Sequence, residues 1–219
     1  MFNETIYMPN ITDDKTIIEF TKDFILDRNS KITVPNQYTA VVFDNEKISF
    51  RIEPCVKKSI YKEYGKNLLG HTLKIAFIHT KAIPEEMWGF GNIQVNNERL
   101  KEAYRAGTHG TYKLKITDYT KFVNSFLQNE NVTVSMVKEK VLSIIKTIGI
   151  PLVSKCFANT QVSVFEIDAL VEDIRKDLQQ KLKEEKILID LGMEINAITV
   201  EGIYINEDDL EIIRDRLNG

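Results

Sequence analysis

Cysteine is scarce in this chain, and the two cysteines that occur are far apart. They are Cys55 and Cys156, in a chain of 219 residues. This spacing provides neither a disulfide framework nor a C-x-x-C metal pair. We therefore expect a reducing, cytosolic compartment, where free cysteines persist as small, buried apolar side chains.

The chain also lacks an excess of charge of either sign. Its 29 Lys and Arg residues nearly balance its 32 Asp and Glu residues, and the formal net charge is -3. Nucleic-acid binding depends on a concentrated basic surface that releases counterions. A general polybasic membrane anchor requires a similar excess. The composition therefore argues against both.

Long apolar runs are missing as well. The most apolar stretch extends from Val141 to Val153 and is interrupted by Lys146 and Pro151. It is shorter than the ~20 apolar residues that span a bilayer. The N-terminal residues contain no basic region followed by an apolar run, so we expect no signal peptide. Any membrane contact should be peripheral or made through a partner.

Residues that could perform catalysis or bind a metal are few. The three histidines, His71, His79 and His109, occur in neither an HExxH nor an HxH pattern. The glycines within 89–91 and 107–110 do not match phosphate-binding loops, and we interpret them as loop or bulge positions. We expect no catalytic residue, no cofactor and no metal.

The first half of the chain is rich in strand signals. Apolar runs at 38–43 and 47–50 flank Asx residues and predict a hairpin. Residues 71–80 are apolar on both faces and predict a central strand. Residues 111–117 alternate and predict a strand with one solvated face. Residues 15–27 fit either one helix or two short strands.

The second half shows mostly helical periodicity. Helices are predicted at about 119–128, from 133 or 135 to Gly149, and at 163–192. Pro151 should stop the second helix, and Gly192 should end the third. A late strand with a bulge or bend follows over 193–205, and Asn206 then caps a last helix.

Together these elements predict an α+β fold in which helices pack on one side of an antiparallel or mixed sheet. We expect one domain over residues 1–219. It should be sheet-rich to about residue 117 and helical from about residue 118, with one returning strand and long C-terminal helices.

Four stretches of sequence resemble a known family. Over residues 16–216 they are ITVPNQYTAVVFDNEKI, MWGFGNIQVNN, AGTHGTYKLKITDYTKFV and LGMEINAITVEGIYINEDDLEII. In this order they are similar to the opening hairpin, the Trp-Gly strand, the alternating strand before an Asp and a Phe, and the last strand of the SPFH/Band 7 (stomatin–prohibitin–flotillin) domain. The chain most resembles the soluble bacterial branch described as virion core protein-like.

The resemblance implies a non-catalytic function. Such domains are similar in role to membrane-associated scaffolds that oligomerise, often into rings or arrays, and recruit partner proteins. The resemblance thus implies a cytoplasmic homo-oligomer, peripheral at the inner face of the cell membrane. Its contacts would be other membrane-associated proteins and lipid, and not nucleic acid.

Two other functions remain open from the sequence. One is a monomeric cytosolic adaptor whose sheet edge or helix face binds a protein partner. The other is an enzyme of unrecognised type, with a pocket near Trp88, His109 and Tyr112 that brings ionisable groups together.

Two groups of residues are candidates for contacts. Trp88 and Phe90 either meet lipid headgroups or a partner, or else pack in the core, which is the commoner outcome for aromatic residues. The charged face of the predicted long helix is either a solvated surface with i,i+4 pairs or a lateral contact between protomers. The candidates for this oligomer contact are Arg175, Lys176, Lys183 and Glu184.

Overall fold

A computed structural model describes residues 5–10, 15–80, 83–98 and 101–218. The strands are β1 (Thr5–Tyr7), β2 (Thr16–Phe20), β3 (Phe24–Ile25), β4 (Ser30–Val34), β5 (Tyr38–Asp44), β6 (Lys47–Ile52), β7 (Cys55–Ser59), β8 (Thr72–His79), β9 (Glu86–Asn97), β10 (Glu102–Ile116), β11 (Asn131–Thr133), β12 (Met193–Ile198) and β13 (Gly202–Ile205). The helices are α1 (Ile60–Glu63), α2 (Tyr119–Asn124), α3 (Val134–Asn159), α4 (Val171–Lys183), α5 (Lys186–Asp190) and α6 (Glu207–Asn218), with 3-10 helices at Lys66–Leu68 and Val164–Leu170.

The chain divides into two compact units, and each is described by itself. Unit 1 comprises Met1–Ile83, Ile116–Val137 and Asp190–Met193, and unit 2 comprises Pro84–Lys115, Lys138–Ile189 and Glu194–Gly219.

Unit 1 contains a six-stranded antiparallel sheet. Its order is β11-β2-β8-β5-β6, and β3 also pairs with β8. β8 lies between β2 and β5, which confirms the central strand predicted over 71–80. Residues 38–43 of β5 are all buried, so both faces of the sheet are covered at its centre.

Residues 15–27 adopt the two-strand alternative. β2 and β3 both pair with β8, and the consecutive residues Ile17 and Ile18 are each 0% exposed. Neighbouring residues of a strand point to opposite faces, so this segment is covered on both sides. The predicted hairpin is present as β5 and β6, and its turn residues Asn45 and Glu46 have positive φ values of 48° and 65°.

A smaller sheet in unit 1 has the order β1-β4-β7. β1 is parallel to β4, and β7 is antiparallel to it. Ile32 and Val34 of β4 pack with Ile60 of α1 and with Leu68 in one buried cluster, which also contains residues of β5 and β8. This shared core fixes the segment from β7 through the 3-10 helix Lys66–Leu68.

Unit 2 is built around β10, a strand of 15 residues. β9 pairs with its residues 102–112, β13 pairs with residues 106–109, and β12 pairs with it as well. Helices cover one face of this sheet. A Cβ atom placed on Gly149 of α3 would lie 2.6 Å from the Phe90 ring of β9 and 3.7 Å from Leu178 of α4. The fold is therefore α+β with helices on one side of a sheet, as predicted.

α3 continues for eight residues past Pro151, so its predicted end at Gly149 and Pro151 is wrong. Proline provides no N–H for the carbonyl of Thr147, but Pro151 lies on the exposed side of the helix, where water can satisfy that carbonyl. Val153 and Phe157 beyond it are each 0% exposed. Their burial keeps the helix intact after the proline.

By length and composition, α3 is the one described helix that could cross a membrane. It has 26 residues, and 39% of its most apolar window is buried within the structure. A buried core helix of a soluble protein meets the same criteria of length and composition. The sequence predicts no apolar stretch long enough to span a bilayer. That expectation does not hold for α3, because the helix was predicted to stop at Pro151 and in fact continues.

The single helix predicted over 163–192 is divided into three helical segments. The first is the 3-10 helix Val164–Leu170, within which Glu166 has a non-helical φ of -120°. α4 and α5 follow, and Gly192, with φ of 69°, comes after α5. The late strand is likewise divided into β12 and β13. Asn206 caps α6 as predicted, because its Oδ1 accepts a hydrogen bond from the Asp209 N–H.

Candidate functional site

The candidate contacts Trp88 and Phe90 lie in the core of unit 2. They are 3% and 8% exposed, and their ring centroids are 5.4 Å apart. The Trp88 indole N–H donates to the carbonyl oxygens of Thr111, at 3.2 Å, and Thr199, at 3.0 Å. Neither ring is therefore presented at the surface to lipid or to a partner. Of the two interpretations offered by the sequence, the structure favours the core, because α3 covers this face of β9.

Gly107 and Gly110 lie inside β10, so of the two interpretations offered by the sequence, a loop or a bulge, the loop is wrong. The pairing of β9 with β10 shifts register at Gly107, which marks a bulge. A Cβ atom on Gly110 would overlap the carbonyl oxygen of Thr199. Glycine at 110 thus permits the close backbone approach that accommodates the Trp88 hydrogen bonds.

Tyr204 occupies the opposite, solvated face of this sheet. A Cβ atom on either Gly91 or Gly107 would overlap the Tyr204 ring, which is itself half exposed. The ring therefore lies flat over the bulge between β9 and β10. This arrangement matches the known tendency of a cross-strand aromatic to cover strand glycines.

The pocket expected for an enzyme near Trp88, His109 and Tyr112 does not form. Trp88 and Tyr112 are buried, whereas His109 is exposed on the other face of β10. Burial raises the pKa of Tyr112, and burial with the nearby Glu102 raises the pKa of Tyr104 to about 12. Both phenols therefore stay protonated at neutral pH. Trp88 and Tyr112 lie on one face of the sheet and His109 on the other, so the three side chains do not line one pocket.

The histidines lie in separate environments. The His71 Nδ1 atom is 3.0 Å from the Asp44 carboxylate, and the His79 Nε2 atom is 3.2 Å from the Gln37 side-chain oxygen. These two histidines flank opposite ends of β8. Within the described residues, no group of three or more His, Cys, Asp or Glu side chains could hold a metal ion.

A groove lies between α3 and α4 in unit 2. Its volume is about 900 Å³. Its apolar lining comes from Ile148, Pro151, Leu152 and Leu170, and its charged lining comes from Lys155, Asp173, Lys176, Asp177, Lys181, Glu184 and Glu185. We call this surface the α3–α4 groove. It combines apolar side chains with charged side chains of both signs.

Two of the four predicted oligomer contacts border the α3–α4 groove. Lys176 and Glu184 line it, whereas Lys183 is exposed outside the lining. Arg175 instead binds within its own helix, donating to Glu172 at 2.7 Å and 2.8 Å and to Gln179 at 2.8 Å. The hydrogen bonds from Arg175 lower the pKa of Glu172, so this pair stays charged.

The sequence prediction missed the wall of the groove that α3 provides beyond Pro151. This wall includes Leu152, Lys155 and Cys156. Apolar residues continue at helical spacing through Phe157, and that spacing could have signalled the extension. Burial, with smaller effects from Asp173 and Asp177, raises the pKa of the Cys156 thiol.

Comparison with family models identifies the chain. The model of the SPFH domain–Band 7 family matches residues 63–217. The chain belongs to the SPFH domain–Band 7 family. This is a family of membrane-associated scaffolds that are generally not catalysts. None of the curated proteins compared with this chain matches it.

Proposed function

We propose that this protein is a non-catalytic scaffold, which associates with copies of itself and recruits other membrane-associated proteins at the cytoplasmic face of a membrane. Membership of the family supports the general role. The structural observation that supports self-association is the α3–α4 groove. It is open, has a volume of about 900 Å³ and is lined by both apolar and charged side chains. Nucleic acid is not among the proposed partners.

The dimensions of the α3–α4 groove suit a helix of a second copy. Its lining on α3 runs from residue 147 to residue 159, and a helix of that length is about 20 Å long. Acidic and basic side chains alternate on the α4 side, at Asp173, Lys176, Asp177 and Lys181. Such a pattern fixes the register of a partner helix, because like charges brought together across an interface are unfavourable.

Self-association is tested by light scattering during size-exclusion chromatography of the lipid-free protein. We expect the wild type to elute as an assembly larger than the 25.3 kDa monomer. The charge-exchange variant Lys176→Glu/Glu184→Lys keeps the net charge and should shift the population toward monomer. The matched control is Glu139→Lys/Lys146→Glu, an exchange at exposed positions of α3 outside the groove lining, and it should retain the assembly.

A sharp wild-type monomer at all accessible concentrations would contradict self-association. It would favour the adaptor alternative, in which the same groove accepts a helix of a different protein. An assembly that both exchange variants retain equally would place the contact elsewhere on the molecule.

A further inference from the structure

A basic segment in unit 1 differs from the rest of the chain in its charge. From Pro54 to Gly70 the sequence contains Lys57, Lys58, Lys62 and Lys66 against one acidic residue, Glu63. The whole chain has a net charge of -3. The near balance of the composition thus conceals a local excess of positive charge.

Three buried residues hold this segment against the core of unit 1. Cys55, Ile60 and Leu68 are 9%, 0% and 7% exposed and belong to one hydrophobic cluster. Between these anchors Gly65 is also buried and Tyr64 packs against the same cluster, whereas the lysines do not. All four lysines are exposed, and so are Val56, at 78%, and Leu69, at 40%.

A bulge interrupts β7, which is an edge strand of its sheet. The pairing of β4 with β7 shifts register between Ile32 and Val34, and Lys57 has a φ of 46°. A bulge interrupts the normal alternation of a strand. Val56, Lys57 and Lys58 are all exposed at this edge, whereas Cys55 before them is buried.

The lysines of this segment form no ion pair with the acidic side chains that the structure describes. Among the ion pairs formed by the described residues, none includes Lys57, Lys58, Lys62 or Lys66. Arg28 adds a further cation to this region, with its guanidinium 5.9 Å from the centre of the Tyr61 ring in α1. These charges are therefore available to an external anion.

We propose that this surface, which we call the basic patch (Val56, Lys57, Lys58, Lys62, Lys66 and Leu69), binds the anionic surface of a lipid bilayer. The lysines would contact phosphate and carboxylate groups of the lipids, while Val56 and Leu69 would enter the layer beneath the headgroups. This inference rests on the proposed location at a membrane, and it specifies the surface and the lipid chemistry.

The shape of the basic patch favours a bilayer over an acidic polypeptide. Neither of the two described cavities includes any of its six residues. An extended peptide bound in one register takes its specificity from pockets for its side chains. A bilayer needs none, since long lysine side chains adjust to a fluid layer of anions and isolated apolar residues enter it one by one.

Vesicle sedimentation tests the proposal with the full chain. We expect binding to phosphatidylcholine vesicles that contain phosphatidylserine, weak binding to pure phosphatidylcholine vesicles, and loss of binding at high salt. Each lysine near an anionic surface contributes about a fivefold increase in affinity. Lys58→Gln/Lys62→Gln should therefore weaken binding by about 25-fold. Val56→Ser should weaken it without changing its dependence on salt.

The matched control is Lys146→Gln/Lys186→Gln, which removes the same charge from exposed positions of unit 2. It should bind almost like the wild type. Equal loss in the two double variants, or unchanged binding of Lys58→Gln/Lys62→Gln, would overturn the proposal while leaving membrane attachment through another surface. A wild type that ignores anionic vesicles would overturn it too. The mass measured without lipid reports self-association separately.

Discussion

Cys156 lies in the α3–α4 groove, where its thiol is less acidic than a thiol in water. Burial contributes most to the raised pKa, and the carboxylates of Asp173 and Asp177 add to it. Both effects disfavour the thiolate, which is the reactive form of cysteine. The Cys156 thiol should therefore react slowly at neutral pH, although it lines an open groove.

Removing the two carboxylates should make Cys156 more reactive. We expect Asp173→Asn/Asp177→Asn to increase its rate of alkylation by iodoacetamide severalfold at pH 7–8, since the lower pKa increases the thiolate fraction. The rate should remain below that of a free thiol because burial persists. It is measured by mass spectrometry in a Cys55→Ala background. Glu172→Gln, an exposed α4 position that does not raise this pKa, serves as the control, and an equal rate increase in that variant would contradict the explanation.

Trp88 provides a second test at this scale, because it is the only tryptophan. Its 3% exposure predicts native fluorescence at shorter wavelength than that of the unfolded chain. Addition of anionic vesicles should leave the emission unchanged even when the protein is bound, since the basic patch and not Trp88 makes the contact. A shift in emission wavelength on vesicle binding would indicate that Trp88 does contact lipid.

Among the elements, those with a complete local pattern were predictable. Residues 71–80 are apolar on both faces, and only a central strand buries both. Asn206 has the side chain that caps a helix, and it does so. The predicted end of α3 was wrong, because Pro151 signals a stop locally while the burial of Val153 and Phe157, a tertiary effect, overrides it.

Gly110 shows a similar limit for a strand. Its sequence context predicts a loop or bulge, but the need for glycine comes from Thr199, which is 89 positions away. We expect Gly110→Ala to lower the free energy of unfolding by about 2 kcal/mol, because the added Cβ must displace backbone atoms. Urea denaturation measures the change.

Gly89→Ala is the matched control for Gly110. Its Cβ atom would lie 3.2 Å from the His109 Cβ atom, a contact that a small shift relieves. The control should therefore cost less than about 1 kcal/mol. Equal destabilisation by the two substitutions would show that the backbone contact at Thr199 is not the cause.

For the whole molecule, the distribution of charge matters more than its total. Two of the four residues that the sequence offers as oligomer contacts, Lys176 and Glu184, line the α3–α4 groove. The sequence did not predict the basic patch, because four exposed lysines are recognisable as a surface only once Cys55, Ile60 and Leu68 are known to be buried between them.

The basic patch lies in unit 1 and the α3–α4 groove in unit 2, so their roles should separate. We expect Lys58→Gln/Lys62→Gln to keep the wild-type mass in light scattering without lipid. Lys176→Glu/Glu184→Lys should keep the salt-sensitive preference for anionic vesicles, with lower affinity where assembly multiplies the contacts. Combining both pairs tests independence. Loss of both properties from either pair alone would indicate one shared surface.

The Tyr204 ring covers the backbone of the sheet at Gly91 and Gly107. The substitution Tyr204→Ala would leave the backbone at Gly91 and Gly107 uncovered over an area the size of a phenol ring. A small aromatic molecule added from solution could cover that area. The sheet of unit 2 thus contains a position at which an external compound could replace part of the protein's own surface.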